Sequence, residues 1–380
     1  MPDRGNIPEV DGEEILDGIR QWVEIETPTY EGAAVNTLVD VVEGGMKALG
    51  AAIERIPGRD GFGDILMTRT PWGGDGPGIL VLSHLDTVHP IGSIDGYNPW
   101  RREGDSVYGP GIYDMKAGAY LAYYAYQHLV RMGRQTPLPV TFLYIPEEEI
   151  GSPTSRGIIE VEAQKNKYVL VTEPAREGGK IVTGRKGVGR FDAVTRGVAA
   201  HSGSRPEDGR SAIEEMARVI LAIEAMTDFE LGVTTNVGMI QGGTGVNVVP
   251  AECRIEIDLR VPTQAMADEY CARILGVAAS NPDVELEITG GINRPPYQKD
   301  AGIQSLFEHA RDVCADIGFE LEDMHTGGGS DGCFTAALGV PTLDGLGADG
   351  VGAHAKNEQI YFSSLEPRAK MWIRLLETLE

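Results

Sequence analysis

The sequence predicts an α/β protein into which a smaller α+β domain is inserted. Three observations carry this prediction. Short apolar runs bounded by turn residues alternate with a helical stretch, the pattern of a central sheet covered on both faces. From about Lys186 the texture changes to strands with one exposed face, in the order strand-helix-strand-strand-helix-strand. After Pro295-Pro296 the first texture resumes. A chain of 380 residues is also longer than one compact core usually holds. The expected division is residues 1–185 for the first part of the larger domain, 186–295 for the insert and 296–380 for the second part.

Residues 13–50 carry helical periodicity through Ile15, Ile19, Trp22 and Val23, then Leu38, Val41, Val42, Met46 and Leu49. Residues 50–78 are punctuated by Pro57, Gly58, Gly61, Gly63, Gly73, Gly74 and Gly76 and read as irregular. Ile79-Leu80-Val81-Leu82-Ser83 is a buried strand by its length and flanks, and residues 140–145 and 168–171 repeat that pattern. A helix is expected over 115–132, between the first two strands. In the insert, strands are expected at 189–195, 236–240, 253–260 and 284–289, with helices at 211–226 and 264–279.

Composition narrows the function. Lys plus Arg total 33 against 57 Asp plus Glu, a formal charge of −24 that repels nucleic acid and anionic membrane surfaces. Neither is expected as a partner. The four cysteines, Cys253, Cys271, Cys314 and Cys333, lie far apart with no C-x-x-C spacing, which argues against a disulfide scaffold. The first residues, Met1-Pro2-Asp3-Arg4-Gly5, lack the basic and apolar pattern of a secretion signal, and no apolar run approaches a membrane span. A cytoplasmic location is the expectation.

The residues suited to chemistry gather where strands end. His84 and Asp86 are two apart at the end of a strand and so share a face, where a carboxylate can accept the second imidazole N–H and raise its basicity as a ligand. A His and an Asp in a polar loop is the plainer reading. Asp114, in Gly109-Pro110-Gly111-Ile112-Tyr113-Asp114-Met115-Lys116, fits a helix N-cap, while its flanking glycines suggest a backbone that passes close to something. Glu147-Glu148-Glu149 directly follows a buried strand, where three adjacent carboxylates repel unless cations neutralise them or one holds a proton. Glu173 in Thr172-Glu173-Pro174 repeats the arrangement, and alone it reads as an exposed turn residue. Ligands in open α/β sheets sit beyond the carboxyl ends of the strands, so these groups are expected to converge. His354, in a glycine-rich loop, would by itself be a surface residue and together with the others completes a donor set of nitrogen and oxygen.

Taken together, Ser83-His84-Leu85-Asp86-Thr87-Val88, Gly109 to Gly118, Glu147 to Ser152, Thr172-Glu173-Pro174, Ala200-His201-Ser202-Gly203 and Gly352-Ala353-His354 resemble the M20 metallopeptidase family. Within it they resemble the carboxypeptidase G2 (glutamate carboxypeptidase) branch, a likeness that Asp344-Gly345-Leu346-Gly347 strengthens. The resemblance spans nearly the whole chain in order.

It implies a zinc-peptidase-like catalytic domain with a central mixed sheet and an inserted ferredoxin-like dimerisation, or lid, domain. It further implies two divalent metal ions, zinc first with cobalt or manganese also fitting: His84, Asp114 and Glu173 around one, Asp114, Glu149 and His354 around the other. Asp86 would orient His84, Glu148 would be the general base, and His201 would polarise the scissile carbonyl. Asn247 and Arg260 would contact the substrate, Arg260 being suited to a carboxylate, although an Arg on a strand equally makes a structural ion pair. A cis peptide is implied at Asp114–Met115. His89, His128, His309 and His325 acquire no role and read as surface or packing residues, His325 being the one placed to reach a pocket rim. The implied activity is hydrolysis of an amide-type C–N bond in a small substrate, a peptide or N-acyl amino acid with a free carboxylate. The alternative is an M20-type aminohydrolase or deacylase acting on a non-peptide amine or amide, aryl amines included. A homodimer through the inserted domain and closure of that domain on substrate complete the expectation.

Overall fold

The structure, a computed structural model, describes residues 8–380. The segment read above for a secretion signal therefore begins outside the described residues. Two compact units make up the chain. The first comprises the residues up to Thr183 together with Lys299–His325 and Ser330–Glu380, and the second comprises Gly184–Gln298 with Thr326–Gly329. The short segment 326–329 joins the second unit because Lys186 donates its backbone N–H to the Thr326 carbonyl (3.0 Å) and Arg185 Nη1 donates to that of Gly328 (3.0 Å).

In the first unit a six-stranded mixed sheet runs in the order Ala52–Ile56, Ile65–Arg69, Val140–Ile145, Gly78–His84, Asn166–Val171, Thr342–Leu343. The central strand, Gly78–His84, is parallel to both of its neighbours, with His84 opposite Ile145 and Leu82 opposite Val171. Three carboxyl ends thus finish side by side. Every residue of Gly78–His84 and Val140–Ile145 is buried, which follows from cover on both faces. On one face Leu80, Leu82, Leu143, Ile145, Val169 and Val171 pack with Ile159, Ala163 and Phe334. On the other, Phe142 meets Tyr126 of the helix Ala117–Arg131 at a ring separation of 5.7 Å.

Two sequence expectations change here. The stretch 50–78 is not irregular throughout: Ala52–Ile56 and Ile65–Arg69 form an antiparallel pair with Ile56 opposite Ile65. The first of these is a half-exposed edge strand, so it lacks the continuous apolar run of its buried neighbours. The glycines that obscured the pair occupy the connection 57–64. The long periodic stretch near the start is two helices, Gly12–Val23 and Gly32–Ala48, separated around Pro28. Asp11 caps the first of them by accepting from Glu13 N at 2.9 Å.

The second unit holds a four-stranded antiparallel sheet in the order Thr234–Gly242, Glu252–Val261, Gly187–Arg196, Glu285–Arg294. The helices Ala212–Glu224 and Gln264–Leu275 bury Met216, Val219, Ile223, Tyr270 and Ile274 against Ala193, Ile255, Ile257 and Leu259. Ser211 and Thr263 cap them by accepting from Glu214 N (3.1 Å) and Met266 N (3.3 Å). Numbered in chain order, the strands lie 2-3-1-4, the ferredoxin-like arrangement. No helix among the described residues is long and apolar enough to cross a membrane, and Cys253, Cys271, Cys314 and Cys333 are all free thiols.

Candidate active site

The three adjacent strand ends deliver His84, the run Glu147–Glu149 and Glu173 to one place. A fourth element reaches the same place: the wide turn Ile112–Lys116, which ends in the helix Ala117–Arg131. Gly111 opens the turn at φ +67, and a Cβ there would come within 2.3 Å of Thr87 Cγ2, so the backbone can pass only as glycine. Gly118 likewise lets the helix start approach the Thr172 carbonyl, where a Cβ would sit 1.9 Å from the oxygen. The Asp114–Met115 peptide bond is cis.

Asp114 does not cap the helix. One of its carboxylate oxygens, Oδ1, lies 3.3 Å from His84 Nε2, and the other, Oδ2, lies 3.4 Å from His354 Nε2. His354 Nε2 is also 3.0 Å from Glu149 Oε2, and His84 Nε2 is 3.8 Å from Glu173 Oε1. His84, Glu148 and Glu173 offer ligand atoms all within 4.8 Å of one another, as do His84, Asp114 and Glu149. Asp86 stands behind this cluster, fully buried. Its Oδ1 is 3.3 Å from His84 Nδ1 and accepts from Glu148 N (3.1 Å), while Oδ2 accepts from Glu149 N (3.3 Å) and Thr29 Oγ1 (2.7 Å). The His-x-Asp pair thus also holds the backbone of the acidic run. His354 is the exception in exposure, with 54% of its side chain open to solvent, and its φ of +63 follows Gly352 at +86.

So many carboxylates in one buried place call for positive charge. Burial works against a charged His84, yet its bonds to Asp114 and Asp86 hold its pKa well above the usual value. The bonds of His354 to Asp114 and Glu149 raise its pKa to about 11. Burial, then the charge of Asp114, pushes Glu149 up to about 8. Burial favours the acid form of Asp114 too, but its bonds to His354 and His84 prevail and keep it well below the usual carboxylate range. Glu149 Oε1 is buried with no hydrogen-bond partner. A donor set of imidazole and carboxylate with an orphaned buried oxygen fits divalent cations of the zinc, cobalt or manganese type.

A sequence profile of peptidase family M20/M25/M40 matches residues 80–378, a span that takes in every one of these groups. The chain belongs to that family. It is 28% identical over 371 residues to carboxypeptidase G2 of Pseudomonas sp. (strain RS-16), covering 96% of this chain and 89% of the relative. It is also 28% identical over 363 residues to the succinyl-diaminopimelate desuccinylase of Dechloromonas aromatica, covering 90% and 93%. A tripeptidase structure from Staphylococcus aureus shares the fold, with a TM-score of 0.78 at 19% identity over 97% of this chain and 99% of the other. The protein is a metallohydrolase of the M20 type.

The other residues singled out in this M20 chain lie on the second unit. His201, exposed, sits in the short strand Ala200–His201, which pairs with Val248–Val249. Its Nδ1 accepts from Gly203 N (3.1 Å) and Ser204 N (3.2 Å), which leaves the ring hydrogen on Nε2 in the neutral form. The carbonyl of Asn247 accepts from Ser202 N at 3.0 Å, so Asn247 and His201 are neighbours. Arg260 is engaged by Asp258 through Nε (2.7 Å) and Nη2 (2.9 Å), and its Nη1 donates to the Gly327 carbonyl (3.2 Å).

Two groups escaped the sequence reading. Glu147 is fully buried, and its Oε1 accepts from the backbone and the hydroxyl of both Thr154 and Ser155 at 2.8–3.0 Å, fixing the chain after the acidic run. His89, expected at the surface or in packing, is buried against the fully buried carboxylate of Glu358. No motif signals either role. His325 is exposed on the strand Asp323–Thr326, and His309 Nε2 bonds Thr378 Oγ1 at 2.8 Å.

The raised pKa values predict how the metal-free protein responds to pH. A folded-state pKa above the unfolded one contributes stability that is complete below the unfolded value and is lost as pH rises through the folded one. For Glu149 that window runs from 4.5 to about 8, and for His354 from 6.5 to about 11, with His84 acting in the same direction. Lys116, whose pKa burial lowers to about 7, acts in the opposite direction but is outweighed by the three raised groups, so metal-free protein melts at a lower temperature at pH 9 than at pH 6. A divalent ion held by these groups would narrow the difference, because ligands bind it deprotonated. A melting temperature in chelator that stays level or rises over that range contradicts this.

Proposed function

We propose that this protein uses two divalent ions to hydrolyse an amide-type C–N bond in a small substrate, a peptide or N-acyl amino acid with a free carboxylate. The observation that supports it most is the division of Asp114 between two imidazoles, Oδ1 toward His84 and Oδ2 toward His354. In this reading His84, Asp114 and Glu173 hold one ion, and Asp114, Glu149 and His354 hold the other. When bound, such ions lower the pKa of water and stabilise negative charge on a carbonyl oxygen.

The protein's own groups do the rest. Glu148 takes the proton from the attacking water and gives it to the leaving nitrogen. Asp86 keeps the His84 ring in orientation by accepting at Nδ1. His201, with its hydrogen on Nε2, donates to the scissile carbonyl, and Asn247 and Arg260 contact the substrate. A homodimer is part of the reading: the edge strand Thr234–Gly242 exposes Met239 and Ile240 and offers its free side to a second copy. Sedimentation as a monomer at micromolar concentration contradicts that part.

One observation favours a second reading. Arg260 already spends its planar fork on Asp258, and a substrate carboxylate has to compete for it. An M20-type deacylase or aminohydrolase, whose substrate needs no such contact, is consistent with that pairing. A panel of N-acyl amino acids, their carboxamides and acylated aryl amines separates the two. The first reading expects kcat/KM for free carboxylates to exceed that for carboxamides by about 10-fold or more, the value of one charge-assisted hydrogen bond. Equal rates, or turnover confined to aryl amines, favour the second.

A further inference from the structure

We infer that Glu358 is a positioning residue that locks together the two loops carrying Asp114 and His354, and so sets the metal affinity of the site. This rests on the two-ion reading above. Glu358 is fully buried, four residues beyond His354, just before the strand Gln359–Tyr361. Its carboxylate does not join the ligand cluster. It turns instead to the loop that carries Asp114, where Oε1 accepts from Tyr113 N (2.7 Å) and Asp114 N (2.8 Å) and Oε2 accepts from Gly111 N (2.9 Å). The remaining donor is His89, whose Nε2 lies 2.5 Å from Oε2. A carboxylate only accepts, so Nε2 carries a hydrogen, and on the other side of the ring Nδ1 pairs with the Tyr97 hydroxyl at 2.8 Å. The main chain of Glu358 is held as well, its carbonyl accepting from Asn98 Nδ2 (3.3 Å) and Gly109 N (3.4 Å).

One side chain thus collects the loop N–H groups of Gly111, Tyr113 and Asp114, which no backbone carbonyl satisfies. Each is a buried donor that would otherwise be costly. Because the same residue closes the loop bearing His354, displacement of either loop moves Asp114 and His354 apart. Their present separation is 3.4 Å, across which one ion would be shared. His89 fixes the orientation of the carboxylate and needs no contact with substrate.

The test is zinc affinity, measured by competition with a chromophoric chelator, together with the visible absorption of the cobalt-loaded protein, for wild type, Glu358→Gln and His89→Gln. Far-UV circular dichroism of each metal-free protein reports the fold. Glu358→Gln turns one acceptor into a donor facing Gly111 N–H, and zinc affinity is expected to fall about 10- to 100-fold, the usual cost of removing a group that orients a ligand. The cobalt spectrum is expected to change with it, and His89→Gln to show a smaller loss in the same direction. Native-like variants with wild-type affinity and an unchanged cobalt spectrum overturn the inference. So does a loss of affinity found only in step with loss of native dichroism, because that is the behaviour of a packing residue. Wild-type protein that binds no metal overturns the two-ion reading and this inference together, whereas normal wild-type binding with unaffected variants overturns this inference alone.

Discussion

Glu148→Gln lowers kcat by about 10²- to 10⁴-fold, the contribution of a positioned general base, while the metal content of the protein stays at the wild-type level. Glutamine keeps the size and one oxygen of the side chain, and Glu148 is not among the five groups assigned to the ions. Its backbone N–H bond to Asp86 (3.1 Å) is also unaffected by the substitution. Loss of turnover with intact metal is the signature of a proton carrier. Metal content and rate measured on one preparation check it. If the ions leave with the rate, Glu148 is a ligand, an outcome made plausible by its ligand atom lying within 4.8 Å of those of His84 and Glu173.

Asp114→Asn has the opposite signature, in that metal and activity fall together. The carboxylate faces two histidines, and the amide keeps only one neutral oxygen, so on the proposed two-ion reading both ions would lose a charged ligand at once. Loss of an orienting group outside the ligand set costs about 10- to 100-fold in metal affinity, and loss of a shared ligand exceeds that. The variant therefore purifies with fewer than two ions per chain, and excess zinc does not restore its hydrolysis. Full activity after zinc addition contradicts the bridging role.

Much of this site was legible because buried strands are easy to read. Ile79 to Ser83 and Val140 to Ile145 are short, largely apolar and lead straight into His84 and, after Pro146, Glu147–Glu149, a juxtaposition that surface loops seldom show. Asp114 was harder, since an Asp ahead of a helix is ordinarily a cap and only its place in the fold turns it toward the histidines. Motifs were needed to connect it with His354. Glu358 and His89 left no local trace at all: a carboxylate that accepts backbone N–H groups some 245 residues away has no spacing rule to betray it. The strands Ala52–Ile56 and Ile65–Arg69 were lost for a different reason, because the first is a half-exposed edge strand and the glycines of the turn that joins it to its buried partner dominate the local composition. Arg260 illustrates the limit from the other side. Its position on a strand was readable, and its engagement with Asp258 across two residues was one of two equal readings.

The central claim is that His84, Asp114, Glu149, Glu173 and His354 hold two catalytic ions. The most direct measurement is metal per chain by mass spectrometry on purified wild type and Asp114→Asn, with hydrolysis of an N-acyl amino acid assayed before and after chelation. Close to two ions in wild type, fewer in the variant, and activity that chelation removes and zinc restores are the expected results. Wild-type protein that carries no metal, or that hydrolyses the substrate equally well in chelator, contradicts the account.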